Sequence, residues 1–140
     1  MLVDERGVCK ICDFGCARLL DELHGDQSAS LRGTVNYMSP EVVRQKGYGR
    51  SADIWSLGCT VVELATGKPP WSEHGSQVAT LFQIATATTA PPLPEGLHRQ
   101  ERQFIETCLV RRPKSRPNIL ALLRLKYLGG EQVSAQAAAA

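Results

Sequence analysis

The sequence predicts a mainly α-helical fold with one short β-hairpin near its first residues. Residues 51–66 carry apolar side chains every three or four positions, the spacing of a helix with one buried face. The segments 104–109 and 117–125 show a similar spacing. Apolar arms at 2–3 and 8–12 flank a turn that contains glycine, which is typical of a β-hairpin. Together these patterns predict several helices and little sheet.

The composition is that of an ordinary globular protein. With 140 residues, of which 43% are hydrophobic, the chain is long enough for one domain with a single core. Its net charge is only +2 and its Lys and Arg residues are scattered, so nothing indicates nucleic-acid binding. No apolar run approaches the roughly 20 residues that a membrane-spanning helix needs. The sequence opens without a secretory signal and has an odd number of cysteines (five), which favours a cytoplasmic location.

The best-defined helix is expected between Ser51, as its N-cap, and Gly67, which ends it. Upstream, Ser39 is expected to cap a short helix that Pro40 opens and that runs to about Lys46. On the longer helix, the positions expected to face the core are Ile54, Leu57, Gly58, Val61, Leu64 and Ala65.

Two later helices are predicted with their inward faces. The helix from Val78 to Thr86 is expected to bury Val78, Leu81, Phe82 and Ala85. The last helix begins at Pro117, and its expected core residues are Ile119, Leu120, Leu122, Leu123 and Leu125. Residues 129–140 are rich in glycine and alanine and are expected to form a flexible tail.

Two short motifs bracket a loop-like stretch rich in serine, glycine and charged residues. Asp13-Phe14-Gly15 closes an apolar strand, and Ser39-Pro40-Glu41 opens a helix. Between them lie Gly33-Thr34 and Tyr37. In this order and spacing the motifs resemble the activation segment of eukaryotic protein kinases.

The resemblance continues to about residue 128. Residues 53–58, Asp-Ile-Trp-Ser-Leu-Gly, resemble the central helix of the kinase C-lobe, and residues 63–71 continue the match. The segment 111–117, Arg-Arg-Pro-Lys-Ser-Arg-Pro, resembles the C-terminal Arg-Pro signature of the family. The amino-acid sequences of these motifs are most similar to those of the Ser/Thr-specific mitogen-activated protein kinase kinase kinase (STE) branch.

The resemblance implies the helical C-lobe of the protein kinase fold over residues 1–128, followed by the tail at 129–140. Nothing in the sequence resembles the family's Gly-rich phosphate loop, its strand lysine or its His-Arg-Asp catalytic loop. We therefore expect the N-lobe to be absent from this chain, and the 140 residues alone to be inactive.

The family resemblance also implies a nucleotide site with ATP and Mg²⁺ as cofactors. Asp13 would hold the Mg²⁺ that bridges the ATP phosphates, since hard cations prefer carboxylate oxygen. Cys12 would line the back of the nucleotide pocket. Phe14 would pack under the site, and Gly15 would let the backbone pivot. Thr34 resembles the threonine that orients the catalytic aspartate of Ser/Thr-specific kinases, so it is a second catalytic candidate.

Further residues are assigned supporting or regulatory roles by the same resemblance. Ser28 and Ser30 are candidates for activation-loop phosphorylation, although most loop serines are simply solvated. Glu41 is expected to be buried and paired with Arg116, because a buried carboxylate needs a partner. Asp53 is expected to hold the catalytic loop from below. A plain first-turn position favoured by the helix dipole remains the alternative for Glu41 and Asp53.

The implied function is transfer of the ATP γ-phosphate to Ser or Thr of a protein substrate, which could be a downstream kinase in a signalling cascade. The alternative is a non-catalytic kinase lobe that serves as a docking or interaction module. No nucleic-acid or membrane partner is expected.

A zinc site is a further alternative, because Cys9 and Cys12 have the Cys-x-x-Cys spacing of a metal knuckle, with Cys16 and His24 beyond. Against it, residues three apart on a strand point to opposite faces. We expect Cys9 and Cys12 to be small buried hydrophobes instead.

Overall fold

Five α-helices and one two-stranded sheet make up the described part of the chain. The structure is a computed structural model that describes residues 2–16 and 34–129. The strands are β1 (Leu2–Val3) and β2 (Cys9–Lys10), and the helices are α1 (Pro40–Val43), α2 (Ser51–Thr66), α3 (Gln77–Thr86), α4 (Arg99–Cys108) and α5 (Ile119–Leu123). Single 3-10 turns lie at Phe14–Cys16, Val35–Tyr37, Pro113–Ser115 and Lys126–Leu128. The predicted mainly α fold class is confirmed.

The predicted hairpin is present, with shorter strands than the apolar arms suggested. Its antiparallel strands pair Leu2 with Lys10 and Val3 with Cys9. In the turn, the Asp4 carboxylate accepts hydrogen bonds from the backbone N–H groups of Arg6 and Val8, both at 2.9 Å. Gly7 adopts φ +77°, which glycine reaches without steric cost. The turn is therefore determined by local chemistry.

The main core lies where α2 crosses α4. The two helices approach closely at Gly58, where an added Cβ would lie 2.7 Å from the Cβ of Cys108. Only glycine permits this approach, because any side chain would overlap the facing helix. The buried members of this core are Ile54, Trp55, Cys59, Val61, Val62, Phe104, Ile105, Cys108, Leu109 and Leu122.

The face predicted for α2 is correct near the crossing and wrong beyond it. Leu64 is 79% exposed and Ala65 is exposed, because the crossing at Gly58 covers the middle of α2 and leaves its last turn outside. The N-terminal boundary also differs, since Arg50 occupies the N-cap position and Ser51 is the first helical residue. Gly67 ends the helix in the left-handed conformation, as predicted.

The predicted inward face of α3 is partly wrong. Leu81 is partly buried, as expected, and packs against the cluster that contains Ile84. Val78 is 76% exposed and Phe82 is 67% exposed, whereas Thr80 and Ile84 are buried. Burial of Thr80 is tolerated because its hydroxyl donates to the Ser76 carbonyl, 3.1 Å away, so no polar group is left without a partner. Ile84 packs with the 3-10 turn that begins at Val35. Val78 and Phe82 therefore face solvent.

The prediction for α5 is also partly wrong. Leu122 is fully buried, but Ile119 is 50% exposed and Leu120 is 61% exposed. The helix begins at Ile119 because the Asn118 side chain caps it, accepting a hydrogen bond from the Ala121 N–H at 2.9 Å. Pro117 precedes this cap. The remainder of the predicted tail, residues 130–140, lies outside the described residues.

Of the four cysteines whose side chains the structure describes, two lie at or near the surface and two lie in the core. Cys9 is exposed, so its predicted burial is wrong, and Cys12 is partly buried. Cys59 and Cys108 are fully buried in the α2–α4 core. Burial raises the pKa of each of these two thiols to about 12. Both are therefore protonated near neutral pH and are expected to be inert.

We expect thiol labelling of the folded protein near neutral pH to modify Cys9 and to spare Cys59 and Cys108. The reason is that the reagent reaches the exposed Cys9, whereas burial hinders access to Cys59 and Cys108 and suppresses formation of their reactive thiolates. Peptide mapping by mass spectrometry after a short alkylation gives the rates. Labelling of Cys59 and Cys108 should require denaturant; labelling at the rate of Cys9 would contradict the described core.

Candidate functional site

The triplet Asp13-Phe14-Gly15 follows β2 and is open to solvent. Asp13 adopts φ +62°, a left-handed conformation that aspartate tolerates better than most residues. Its side chain is exposed, and Phe14 is 68% exposed. At Gly15, an added Cβ would lie only 3.3 Å from the Asp13 Oδ1 atom. Glycine at this position thus leaves the carboxylate room to move, and the carboxylate is accessible to a cation.

The turn after Thr34, which precedes the Ser39-Pro40-Glu41 motif, is attached to the helical core. The Asn36 side-chain amide donates to the Pro70 carbonyl at 2.8 Å. The Ser56 hydroxyl of α2 donates to the Tyr37 carbonyl at 2.8 Å, and the Tyr37 hydroxyl donates to the Glu63 carboxylate. Thr34, directly before this anchored turn, is exposed. The anchors thus hold the backbone after Thr34 while its side chain remains accessible.

The contact between Tyr37 and Glu63 was not predicted from the sequence. The available signal in the sequence was Glu63 itself, a charged residue that interrupts an apolar helix. Burial, followed by the hydrogen bond and the negative charge of Glu63, raises the pKa of Tyr37 from 10.0 to about 12. The hydroxyl therefore stays protonated and can keep donating to Glu63.

Replacing Tyr37 with phenylalanine should lower the free energy of unfolding by about 1 kcal/mol near neutral pH, through loss of this hydrogen bond. The pKa of Tyr37 is higher in the folded than in the unfolded state, so its contribution is complete below about pH 10 and declines toward pH 12. We therefore expect the stability difference between the two proteins to shrink over that range. Chemical denaturation at several pH values measures it. Cys59 and Cys108 are present in both proteins, and the charge of Cys59 is the smallest cause of the Tyr37 shift, so the difference reports mainly on Tyr37. A difference that stays constant would contradict the assignment.

Glu41 and Arg116 form the predicted buried ion pair. The Arg116 guanidinium donates to both carboxylate oxygens of Glu41, at 2.6 and 2.8 Å. Glu41 is 6% exposed and Arg116 is 7% exposed. Arg116 also donates to the carbonyls of Ser51 and Val110, at 2.7 and 2.6 Å, and lies 5.1 Å from the ring centroid of Trp55. The pair therefore ties α1 to the start of α2 and to the segment after α4.

Two further arginines, which the sequence did not reveal, hold the C-terminal end of α3. Arg111 donates to the carbonyls of Ile84 and Thr89, at 2.7 and 3.2 Å. Arg44 donates to the Ala85 carbonyl through Nε at 2.7 Å and through Nη2. Cations at a helix C-terminus satisfy its free carbonyls and complement its dipole. No local pattern predicts these bonds, because the donors lie on other elements.

Asp53 lies in the first turn of α2, at the surface. Partial withdrawal of its carboxylate from water raises its pKa above the ordinary value. No ion pair compensates this cost among the described residues. The first-turn position fits the alternative given above, in which the helix dipole favours a negative charge at this place. The carboxylate remains accessible to a hydrogen-bond donor from another segment.

Neither a metal cluster nor a membrane span is found in the described ranges. Residues 2–16 and 34–129 contain no group of three or more His, Cys, Asp or Glu side chains that could hold a metal ion. Cys9 and Cys12 thus lack a described third zinc ligand, and His24 lies outside the described residues. Ser28 and Ser30 lie outside them too. Within the same ranges, no helix has the length and apolar character needed to cross a membrane.

Comparison with known proteins gives consistent matches. A family model described as "Protein kinase domain" matches residues 1–128. Mitogen-activated protein kinase kinase kinase 2 of Arabidopsis thaliana is 41% identical over 133 residues, which are 94% of this chain and 20% of that protein. Mitogen-activated protein kinase kinase kinase A of Dictyostelium discoideum is 39% identical, covering 91% and 14%. Human mitogen-activated protein kinase kinase kinase 19 is 42% identical, covering 87% and 10%. The chain spans about a tenth to a fifth of the length of these relatives.

Proposed function

Because the chain belongs to the protein kinase family, we propose that it supplies the helical C-lobe of a Ser/Thr protein kinase domain. In this role residues 1–128 form the partial kinase domain, and residues 129–140 are a C-terminal segment outside it. The reaction is transfer of the ATP γ-phosphate to a Ser or Thr hydroxyl. The observation that carries the proposal is the exposed Asp13 carboxylate in the segment that follows β2, inside the matched region.

The chemistry of the triplet fits a Mg²⁺–nucleotide site. Mg²⁺ is held by few carboxylates and takes its other ligands from phosphates and water, so a single accessible Asp13 is sufficient on the protein side. When bound, the metal would neutralise the phosphate charge. Gly15 leaves the carboxylate free to adjust, and the partly buried Cys12 would line the nucleotide pocket. The exposed Phe14 would gain its packing partners when the site is assembled.

Thr34 is the proposed positioning residue on the acceptor side. It is exposed, while Asn36 and Tyr37 anchor the following turn to the helical core. An anchored backbone with an exposed side chain suits a residue that must orient another group. The proposed substrate is a protein with a Ser or Thr acceptor. The relatives' names, mitogen-activated protein kinase kinase kinases, support a downstream kinase as that substrate.

Glu41, Arg116 and Asp53 are proposed as supports of this site, and Ser28 and Ser30 as its phosphorylation candidates. A cytoplasmic location is part of the proposal. It is supported by the free thiols of Cys9 and Cys12, which would be at risk of oxidation in a secreted protein.

Exposed apolar side chains on the hairpin and just after it favour a second candidate function for the chain by itself, that of a docking module. Leu2 and Val3 are each 64% exposed, Ile11 is 76% exposed and Phe14 is 68% exposed. Apolar surface of this kind marks a contact with another protein segment. These 140 residues contain no Gly-rich loop or His-Arg-Asp motif, so we propose that the chain alone does not transfer phosphate.

The test replaces the matching segment in the kinase domain of one of these relatives with residues 1–128. We expect the chimera to phosphorylate Ser and Thr of a generic protein substrate, and the 140-residue chain alone to show no turnover. Asp13→Asn in the chimera should lower kcat by about a hundredfold or more, since it removes the metal's carboxylate. The matched control is Asp4→Asn, whose side-chain oxygen can still accept the two turn hydrogen bonds, and it should leave kcat unchanged.

Each result has a defined meaning. Turnover in the chimera that survives Asp13→Asn would contradict the metal role of Asp13. A folded chimera without turnover would favour the docking module over the kinase lobe. Turnover by the 140-residue chain alone, dependent on Asp13, would contradict its proposed inactivity.

A further inference from the structure

A surface cavity of about 380 Å³ lies between the first half of α4 and the 3-10 turn Lys126–Leu128. It contains none of the residues assigned above to the nucleotide or acceptor site. Three cationic side chains line it: Arg99 from the start of α4, and Arg124 and Lys126 from the chain after α5. Its volume is within the range of cavities that hold small molecules in proteins.

The three cations have no partner in the described structure. None of them takes part in an ion pair or side-chain hydrogen bond with residues 2–16 or 34–129. No acidic residue lines the cavity, and the negative charge recorded among the described residues as acting on its lining is Glu101, which influences Tyr127. Three positive charges against one negative charge leave an excess of two. Like charges gathered around one cavity repel one another, and a bound anion relieves that repulsion.

Neutral donors complete the lining. Gln100 and Gln103 of α4 place amide groups at the cavity, and Tyr127 adds a hydroxyl. Burial, and then the charge of Glu101, raises the pKa of Tyr127, so this hydroxyl is protonated at neutral pH and can donate. The Tyr127 ring packs on Phe104 with 5.0 Å between the ring centroids, and Phe104 is 1% exposed. One wall of the cavity is therefore held by the core.

We propose that this cavity binds a small molecule that carries two or more phosphate groups. Phosphate fits because the planar guanidinium groups of Arg99 and Arg124 can each donate two parallel hydrogen bonds to it. More than one phosphate fits because the cations come from two separate segments of the cavity wall, Arg99 from one and Arg124 and Lys126 from the other, so each segment can hold its own phosphate group. The amides and the tyrosine hydroxyl supply donors to the remaining oxygens.

The test titrates inorganic pyrophosphate into the 140-residue protein by isothermal calorimetry, at low salt and with EDTA so that no Mg²⁺-dependent site contributes. We expect binding at one site per chain. The double variant Arg124→Gln/Lys126→Gln should weaken this binding at least about tenfold. The matched control is Arg112→Gln/Lys114→Gln, at two exposed cations outside the cavity. Each double variant lowers the net charge from +2 to 0, so they differ only in where charge is removed.

The outcomes separate specific binding from general charge attraction. The control should stay within about twofold of the unaltered protein; an equal loss in both variants would overturn the proposal. Absence of pyrophosphate binding at millimolar concentration would overturn it too. Citrate is the parallel ligand, and binding as tight as that of pyrophosphate would overturn the assignment to phosphate. Circular dichroism checks the fold, and the single variant Arg99→Gln, from the other wall, should weaken binding in the same direction.

Discussion

Replacing Arg116 with alanine is expected to lower the free energy of unfolding by about 3–5 kcal/mol. The substitution leaves the Glu41 carboxylate, only 6% exposed, without its bidentate partner. It also removes the hydrogen bonds that Arg116 donates to the Ser51 and Val110 carbonyls, which adds to the loss of stability. Typical domains have 5–15 kcal/mol of total stability, so a loss of this size would bring the folded state close to its limit. Urea denaturation followed by circular dichroism measures it.

Two variants separate the geometry of the pair from its charge. Arg116→Lys keeps the positive charge but cannot donate to both Glu41 oxygens and two carbonyls at once, so it should lose much of the same stability. Arg112→Ala removes an exposed arginine four residues away and should change stability by no more than about 0.5 kcal/mol. A loss below about 1 kcal/mol for Arg116→Ala would mean that the pair contributes little to the fold.

Adding a single methyl group at Gly58 should destabilise the α2–α4 core. A Cβ at this position would lie 2.7 Å from the Cys108 Cβ, and 2.9 and 3.0 Å from the Leu109 Cδ2 and Cγ atoms. Alanine favours a helix over glycine by about 1 kcal/mol, but overpacking a core typically costs about 1–3 kcal/mol. Because the 2.7 Å contact is closer than real Cβ atoms approach, the upper part of that range applies, about 2–3 kcal/mol. We therefore expect Gly58→Ala to lower the free energy of unfolding by about 1–2 kcal/mol after the gain in helix propensity, and Gly58→Val to lower it further.

The matched control is Gly49→Ala, at a position where an added Cβ has no neighbour within 4 Å. Thermal unfolding of the three proteins gives the comparison. Gly49→Ala should stay within about 0.5 kcal/mol of the unaltered protein. If Gly58→Ala proved as stable as the unaltered protein, the helices would have to separate at the crossing without cost, against the close packing described there.

The features that depend on short stretches of chain could be predicted from the sequence. The hairpin follows from one carboxylate in the turn, Asp4, and from the left-handed conformation that Gly7 adopts easily. The end of α2 follows from Gly67 for the same conformational reason. The Glu41–Arg116 pair joins residues 75 positions apart, so no local pattern predicts it, and the family resemblance supplied it.

Helix faces and long-range contacts were decided by the tertiary structure. Hydrophobic spacing marks the apolar side of a helix, yet burial depends on which neighbour covers that side. On α3 the covered side carries Thr80 and Ile84, while Phe82 faces solvent. Burial of Thr80 is tolerated because its hydroxyl donates to the Ser76 carbonyl. The bonds of Arg44 and Arg111 to the end of α3 likewise form only once distant elements meet. By itself the sequence determined the family, the mainly α class and the residue at which α2 ends, Gly67. The tertiary structure alone decided which faces are buried and which charges pair, because both depend on contacts between elements far apart in the chain.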